Sequence, residues 1–144
     1  LSHPIPGHLI ATVLTALTQS SAPSVGILQT LAAAGVVQFS SSVYILFGQN
    51  IGTCITAVMA SVGVSRDAKR ATCVHVLFNV IGTVIFTVVV MVTPLTALIE
   101  ATVAGPMAQI AVMHVFFNLA TTLLLIPFGS SLARLATRIL PDLP

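Results

Sequence analysis

Residues 9–37, LIATVLTALTQSSAPSVGILQTLAAAGVV, decide the fold. Leu9–Thr18 is apolar and, as a helix, reaches about 15 Å, half the thickness of a hydrocarbon core. The polar segment Thr18-Gln19-Ser20-Ser21-Ala22-Pro23-Ser24 follows. Pro23 has no N–H and cannot sit in a helix interior without removing a hydrogen bond. Val25–Val37 then continues for roughly 20 Å. Two short arms around a polar, proline-bearing tip predict a re-entrant helical hairpin over residues 7–37 instead of one span. Uncharged polar groups set in such a sequence must be satisfied internally or line a cavity.

The composition requires a membrane. The 144 residues are 56% hydrophobic and 6% charged, with a mean hydropathy of +1.09, whereas soluble domains carry roughly 25% charged residues. The first 65 residues contain no Asp, Glu, Lys or Arg. A net charge of +2 is too small to suggest nucleic acid. Cys54 and Cys73 lack metal-type spacing and read as small buried thiols, so no transition-metal site is expected. No catalytic triad, metal-ligand cluster or glycine-rich phosphate loop with its Lys is present, and the chain is not read as an enzyme. It opens in a Pro/Gly segment without a signal-peptide pattern, and a fragment, or a half-sized subunit, is expected.

The charges divide the remaining sequence into spans. Residues 40–62 predict a helix broken near Gly48 and Gly52. Residues 71–93 predict a span closed by Pro94, and residues 107–126 another, entered through Gly105-Pro106 and ended by Pro127. In the tail, 130–144, Leu132, Leu135, Ala136 and Ile139 recur at helical spacing with Arg134 and Arg138 on another face, the pattern of an interfacial amphipathic helix. The expected fold is all-α: a polytopic membrane protein with a re-entrant hairpin, about three transmembrane helices and a C-terminal amphipathic helix. Lys and Arg mark the cytoplasmic side, here the 63–70 loop and the C-terminus. Two spans lie between them, as that orientation requires. The expected location is the plasma membrane, multi-pass, with Glu100 in an outer loop.

Helical rise places the second polar segment, Gly48–Thr56, at depth. Counted from Ser40, Gly48 lies about 12 Å and Thr53 about 20 Å along the helix, either side of the centre of a roughly 30 Å core. The hairpin tip reaches the same level, so the two polar segments are expected to meet, as in transporters whose broken helices expose their ends to substrate. A helix starting near Pro23 offers the N–H groups of Ser24, Val25 and Gly26 to an anion, and Ser20, Ser21 and Ser24 can donate hydroxyl protons. Gln19, Thr53 and Thr56 offer neutral oxygens suited to a hard cation, with Thr53 and Thr56 stacked on one helical face. No Lys or Arg lies at this depth, so a bound anion needs a co-bound cation. His75/Asn79 and His114/Asn118 repeat an i,i+4 pattern, read as interhelical hydrogen bonding ahead of a proton relay.

These residues resemble a known family. Gln19-Ser20-Ser21 is similar to the QSSS signature of type II sodium/phosphate cotransporters, and Gly48-Gln49-Asn50-Ile51-Gly52-Thr53 resembles their G-x-N-I-G-T segment. Ser65–Ala71, His75–Gly82 and His114–Pro127 resemble bacterial members. The resemblance implies one of two inverted repeats, here the second, each supplying a hairpin tip around phosphate. It implies a sodium ion held by Gln19, Ser20, Thr53 and Thr56. It implies phosphate held by Ser20, Ser21, Ser24 and Asn50, with Asn50 also bracing the unwound segment. Ala22 stands where the family has its third Ser. The implied activity is sodium-coupled transport of inorganic phosphate by alternating access, with Na+ as coupling ion and no cofactor. The implied partners are phosphate, Na+, the lipid bilayer and a second repeat with its own Gln-Ser-Ser tip. A hairpin transporter for another small anion and a non-transporting membrane subunit are the rival readings.

Overall fold

A computed structural model of the chain describes residues 4–18 and 21–142. The elements run α1 (Pro4–Thr18), α2 (Ser21–Ala33), α3 (Phe39–Ala60), α4 (Arg66–Val92), α5 (Leu95–Thr102), α6 (Pro106–Leu125), a 3-10 turn (Ile126–Phe128) and α7 (Gly129–Ile139). Among the described residues there is no strand. Phe39–Ala60, Arg66–Val92 and the stretch opening at Pro106 are long and apolar enough to cross a membrane. The two arms expected of the hairpin are present as α1 and α2, of 15 and 13 residues.

Local chemistry explains the helix ends. Pro23 falls in the first turn of α2, where its missing N–H costs no intrahelical bond. That helix closes in a Schellman motif: Gly35, at φ 72°, donates to Ala32 O and Val36 donates to Leu31 O, a left-handed position that glycine occupies without strain. Ser65 caps α4 by accepting from the Ala68 N–H at 3.4 Å. Gly105, at φ 84°, and Pro106 at the first position of α6 form the last turn between spans.

Two boundaries differ from expectation. α4 begins at Arg66 rather than near Ala71, because the Ser65 cap and Asp67 in the first turn favour a helix start there. The basic cluster therefore lies on a helix, not in a loop. Residues 94–106, expected as a loop, contain the short helix α5.

The core is an aromatic seam between α3, α4 and α6. Phe47 and Phe117 have ring centroids 4.8 Å apart, and Phe86 meets Phe117 edge-on at 5.2 Å. Phe47, Ile110, Met113 and Phe117 are all but inaccessible. α4 and α6 approach closely at Gly82, where an added Cβ would stand 2.5 Å from Thr121 Cγ2. α5 caps one end of this bundle. α7 packs at the other, burying Leu132 and Ala136.

Candidate functional site

Gly48–Thr56 was expected to unwind, and it does not. α3 is continuous from Phe39 to Ala60. Gly48 serves close approach instead. A Cβ there would lie 2.5 Å from His8 O and 2.9 Å from Ala11 Cβ, so only a glycine lets α1 lie against α3 at this point. The Thr12 hydroxyl sits within bonding distance of His8 O at 2.8 Å and of Gly48 O at 3.0 Å.

Asn50, Thr53, Cys54 and Thr56 turn their donors back to carbonyls of their own helix. Asn50 Nδ2 donates to Leu46 O at 3.1 Å, Thr53 Oγ1 to Asn50 O at 2.6 Å, and Thr56 Oγ1 to Thr53 O at 2.7 Å. Cys54 Sγ also turns to Asn50 O, at 3.5 Å. Such back-bonding uses each hydroxyl proton and leaves the oxygen lone pairs as acceptors. Asn50 braces α3 at its Leu46 turn and not an unwound segment. It is buried, while Thr53 and Thr56 are half-buried.

Gln49 is a residue sequence reasoning passed over. It is 5% exposed, and among the described residues its buried Oε1 has no hydrogen-bond partner. An unsatisfied buried carbonyl oxygen costs about 1–3 kcal/mol. Gln49, Thr53 and Thr56 stand at i, i+4 and i+7, so one face of α3 carries three neutral oxygens. The legible signal was a glutamine inside an uncharged span.

The hairpin contributes less that can be described. Gln19 and Ser20 lie outside the described residues. Ser21 opens α2, and Ser24, one turn in, is buried. α2 is helical from Ser21, the first residue described after Thr18, so its first described turn carries the N–H groups of Ser21, Ala22 and Ser24, the proline supplying none. The structure thus groups Asn50, Thr53 and Thr56 on α3 and Ser21 and Ser24 at the head of α2. The contacts to Gly48 come from α1, through His8, Ala11 and Thr12.

The two His/Asn pairs are intrahelical. Asn79 Nδ2 donates to His75 O at 3.0 Å and Asn118 Nδ2 to His114 O at 2.8 Å. The expected interhelical bonding is replaced by bonding one turn back along the same helix. Among the described residues no group of His, Cys, Asp or Glu could hold a metal ion.

YqeW of Bacillus subtilis (strain 168) is 37% identical over 133 residues, covering 92% of this chain and 43% of that protein. The putative inorganic phosphate export protein YjbB of Salmonella typhimurium is 29% identical over 136 residues, 94% of this chain and 25% of the relative. The sodium-dependent phosphate transport protein 2A of Rattus norvegicus is 34% identical over 85 residues, 55% of this chain and 13% of the relative. The chain thus spans less than half the length of each of these relatives. No solved structure matches it. The Na+/Pi-cotransporter family matches residues 1–137, nearly the full length, and the chain belongs to that family.

Proposed function

We propose that this chain supplies one half of a sodium-coupled transport site for inorganic phosphate, working by alternating access. The observation that carries the reading is the α3 face formed by Thr53 and Thr56, whose hydroxyl protons are committed to Asn50 O and Thr53 O. In this arrangement their oxygens are left as acceptors, which suits a hard cation. Gln49 Oε1 adds an acceptor to the same face, and Gln19 and Ser20 complete the sodium-binding set. Phosphate is assigned to Ser20, Ser21 and Ser24 at the head of α2, where first-turn N–H groups and the helix dipole favour negative charge.

The lack of Asp, Glu, Lys and Arg through residue 65 makes the two ions interdependent. Neither charge finds a fixed counter-ion in this stretch, so each is stabilised by the other. A second repeat with its own Gln-Ser-Ser hairpin closes the site. The hairpin is re-entrant in this reading, and the basic end faces the cytoplasm. The name of the Salmonella relative favours net export.

Phosphate flux in liposomes containing the complete protein tests the proposal. Flux driven by a sodium gradient and abolished without sodium is the expected result. Flux independent of sodium would leave the cation site without a role, and no phosphate flux in either direction would rule out the substrate.

A further inference from the structure

The cations of the chain fall in two short segments, Arg66–Arg70 and Arg134–Arg138, and the fold brings both to one end. α4 has 27 residues, about 40 Å of helix against a hydrocarbon core of about 30 Å. Arg66, Lys69 and Arg70 occupy its first turns, where the surplus length lies. Arg70 then fastens the tail to α4: its Nε donates to Leu140 O at 2.9 Å, and its Nη2 meets Asp142 Oδ1 at 2.8 Å. Its Nη1 also meets Asp67 Oδ1, at 3.2 Å.

Asp67 and Asp142 are the carboxylates of this end, since Glu100 sits on α5 at the other. Arg70 engages both. Among the described residues Arg66, Lys69, Arg134 and Arg138 therefore have no carboxylate partner. The Arg66 Nε is buried and makes no hydrogen bond among the described residues, so one guanidinium donor lacks an acceptor there. α7 is amphipathic. Leu132 and Ala136 face the bundle, Leu135 and Ile139 are exposed one turn apart, and Arg134 and Arg138 are exposed on the adjoining face. An apolar edge beside a cationic edge, at the end of a membrane span, matches the boundary between acyl chains and headgroups.

We propose that the corner between α4 and α7 binds the headgroup of an anionic phospholipid, with Arg66, Lys69, Arg134 and Arg138 around the phosphate and Leu135 and Ile139 against the acyl chains. Positive charge at one end of a membrane protein serves its insertion in any case. Selectivity for an anionic headgroup needs more, namely cations freed of local carboxylates and set along an apolar edge. The capture of both carboxylates by Arg70 supplies that condition. The occupant is a lipid and not free phosphate because the cations border exposed apolar side chains.

The test uses the complete protein in nanodiscs of mixed phosphatidylcholine and phosphatidylglycerol, with retained lipids counted by native mass spectrometry. Wild type should keep phosphatidylglycerol over phosphatidylcholine. Arg134→Gln/Arg138→Gln should lower that preference about tenfold, while Arg134→Lys/Arg138→Lys and Glu100→Gln should keep it. Arg66→Gln gives a second reading of the same site should the double Gln variant fail to fold. Equal retention of the two lipids by wild type would overturn the proposal. So would an unchanged preference in the folded Gln variants, or displacement of phosphatidylglycerol by millimolar inorganic phosphate.

Discussion

His8 on α1 and Thr87 on α4, 79 positions apart in the chain, are joined by a 2.8 Å hydrogen bond between Nε2 and Oγ1. The imidazole also lies against Tyr44 and Phe47 of α3, with centroids 5.8 and 6.4 Å away. One polar side chain thus ties the first hairpin arm to two spans. In an apolar surrounding few competing partners exist, so this bond supports the placement that the Gly48 crossing gives α1.

His8→Ala should lower the thermal stability of the detergent-solubilised protein, and His8→Phe should lower it less because the ring packing is kept. A double-mutant cycle with Thr87→Val should give a coupling of about 1 kcal/mol, in the range for hydrogen bonds between membrane helices. Strict additivity would mean that the two side chains do not support each other.

Three glycines should respond to alanine in a fixed order. At Gly48 the new methyl meets backbone, His8 O at 2.5 Å, and α1 must move. The expected cost is about 1–3 kcal/mol. At Gly82 it meets the Thr121 side chain, which can rotate in part, so the loss is smaller. At Gly26, inside α2, nothing lies within 4 Å. Alanine there should stabilise by roughly 0.5–1 kcal/mol through helix propensity. Melting temperatures of the three variants check the order, and a Gly48→Ala protein as stable as wild type would contradict the close crossing.

Thr53→Ala and Thr56→Ala remove acceptor oxygens but no packing larger than a methyl. Each should raise the sodium concentration for half-maximal phosphate flux by about tenfold, a loss of roughly 1.4 kcal/mol, while flux at saturating sodium changes less. Thr53→Ser keeps the oxygen and should restore most of the activation. Sodium titrations that overlay for wild type and both alanine variants would remove these residues from the site.

Gln49→Leu separates ligand from scaffold. Removing an amide whose buried Oε1 lacks a partner among the described residues, and keeping an apolar chain of similar volume, should leave stability unchanged or raise it by about 1 kcal/mol. Sodium activation should fall at the same time. A variant with lower stability and normal activation would make Gln49 a structural residue alone.

The apolar runs and their proline and glycine borders made the spans legible, because a membrane admits few alternatives to a helix. Residues 40–62 and 107–126 fall within one residue or two of α3 and α6. Two helices, α1 and α2, stand where the arms Leu9–Thr18 and Val25–Val37 were expected, each starting several residues earlier in the chain. What misled was the paired glycines of α3. Gly48 and Gly52 lower helix propensity, yet the helix persists because this stretch is buried against its neighbours and tertiary packing outweighs propensity. The reason for Gly48 lies 37 positions away, at Ala11 and its neighbours on α1, and no local pattern reveals such a crossing. Gln49 was missed because its burial depends on the same packing. The motif marked α3 as the place to look, and the hydrogen bonds there distinguish acceptors from donors.

The Thr12 hydroxyl has one further property. Its proton lies between two carbonyls, one on its own helix and one across the contact, at 2.8 and 3.0 Å. If α1 slides or tilts away from α3, the proton stays with His8 O and no donor is stranded in hydrocarbon. The glycine opposite offers no side chain to disengage. The contact therefore behaves as a greased joint: it holds at rest, and it parts without the desolvation penalty that would lock a bilateral hydrogen bond shut.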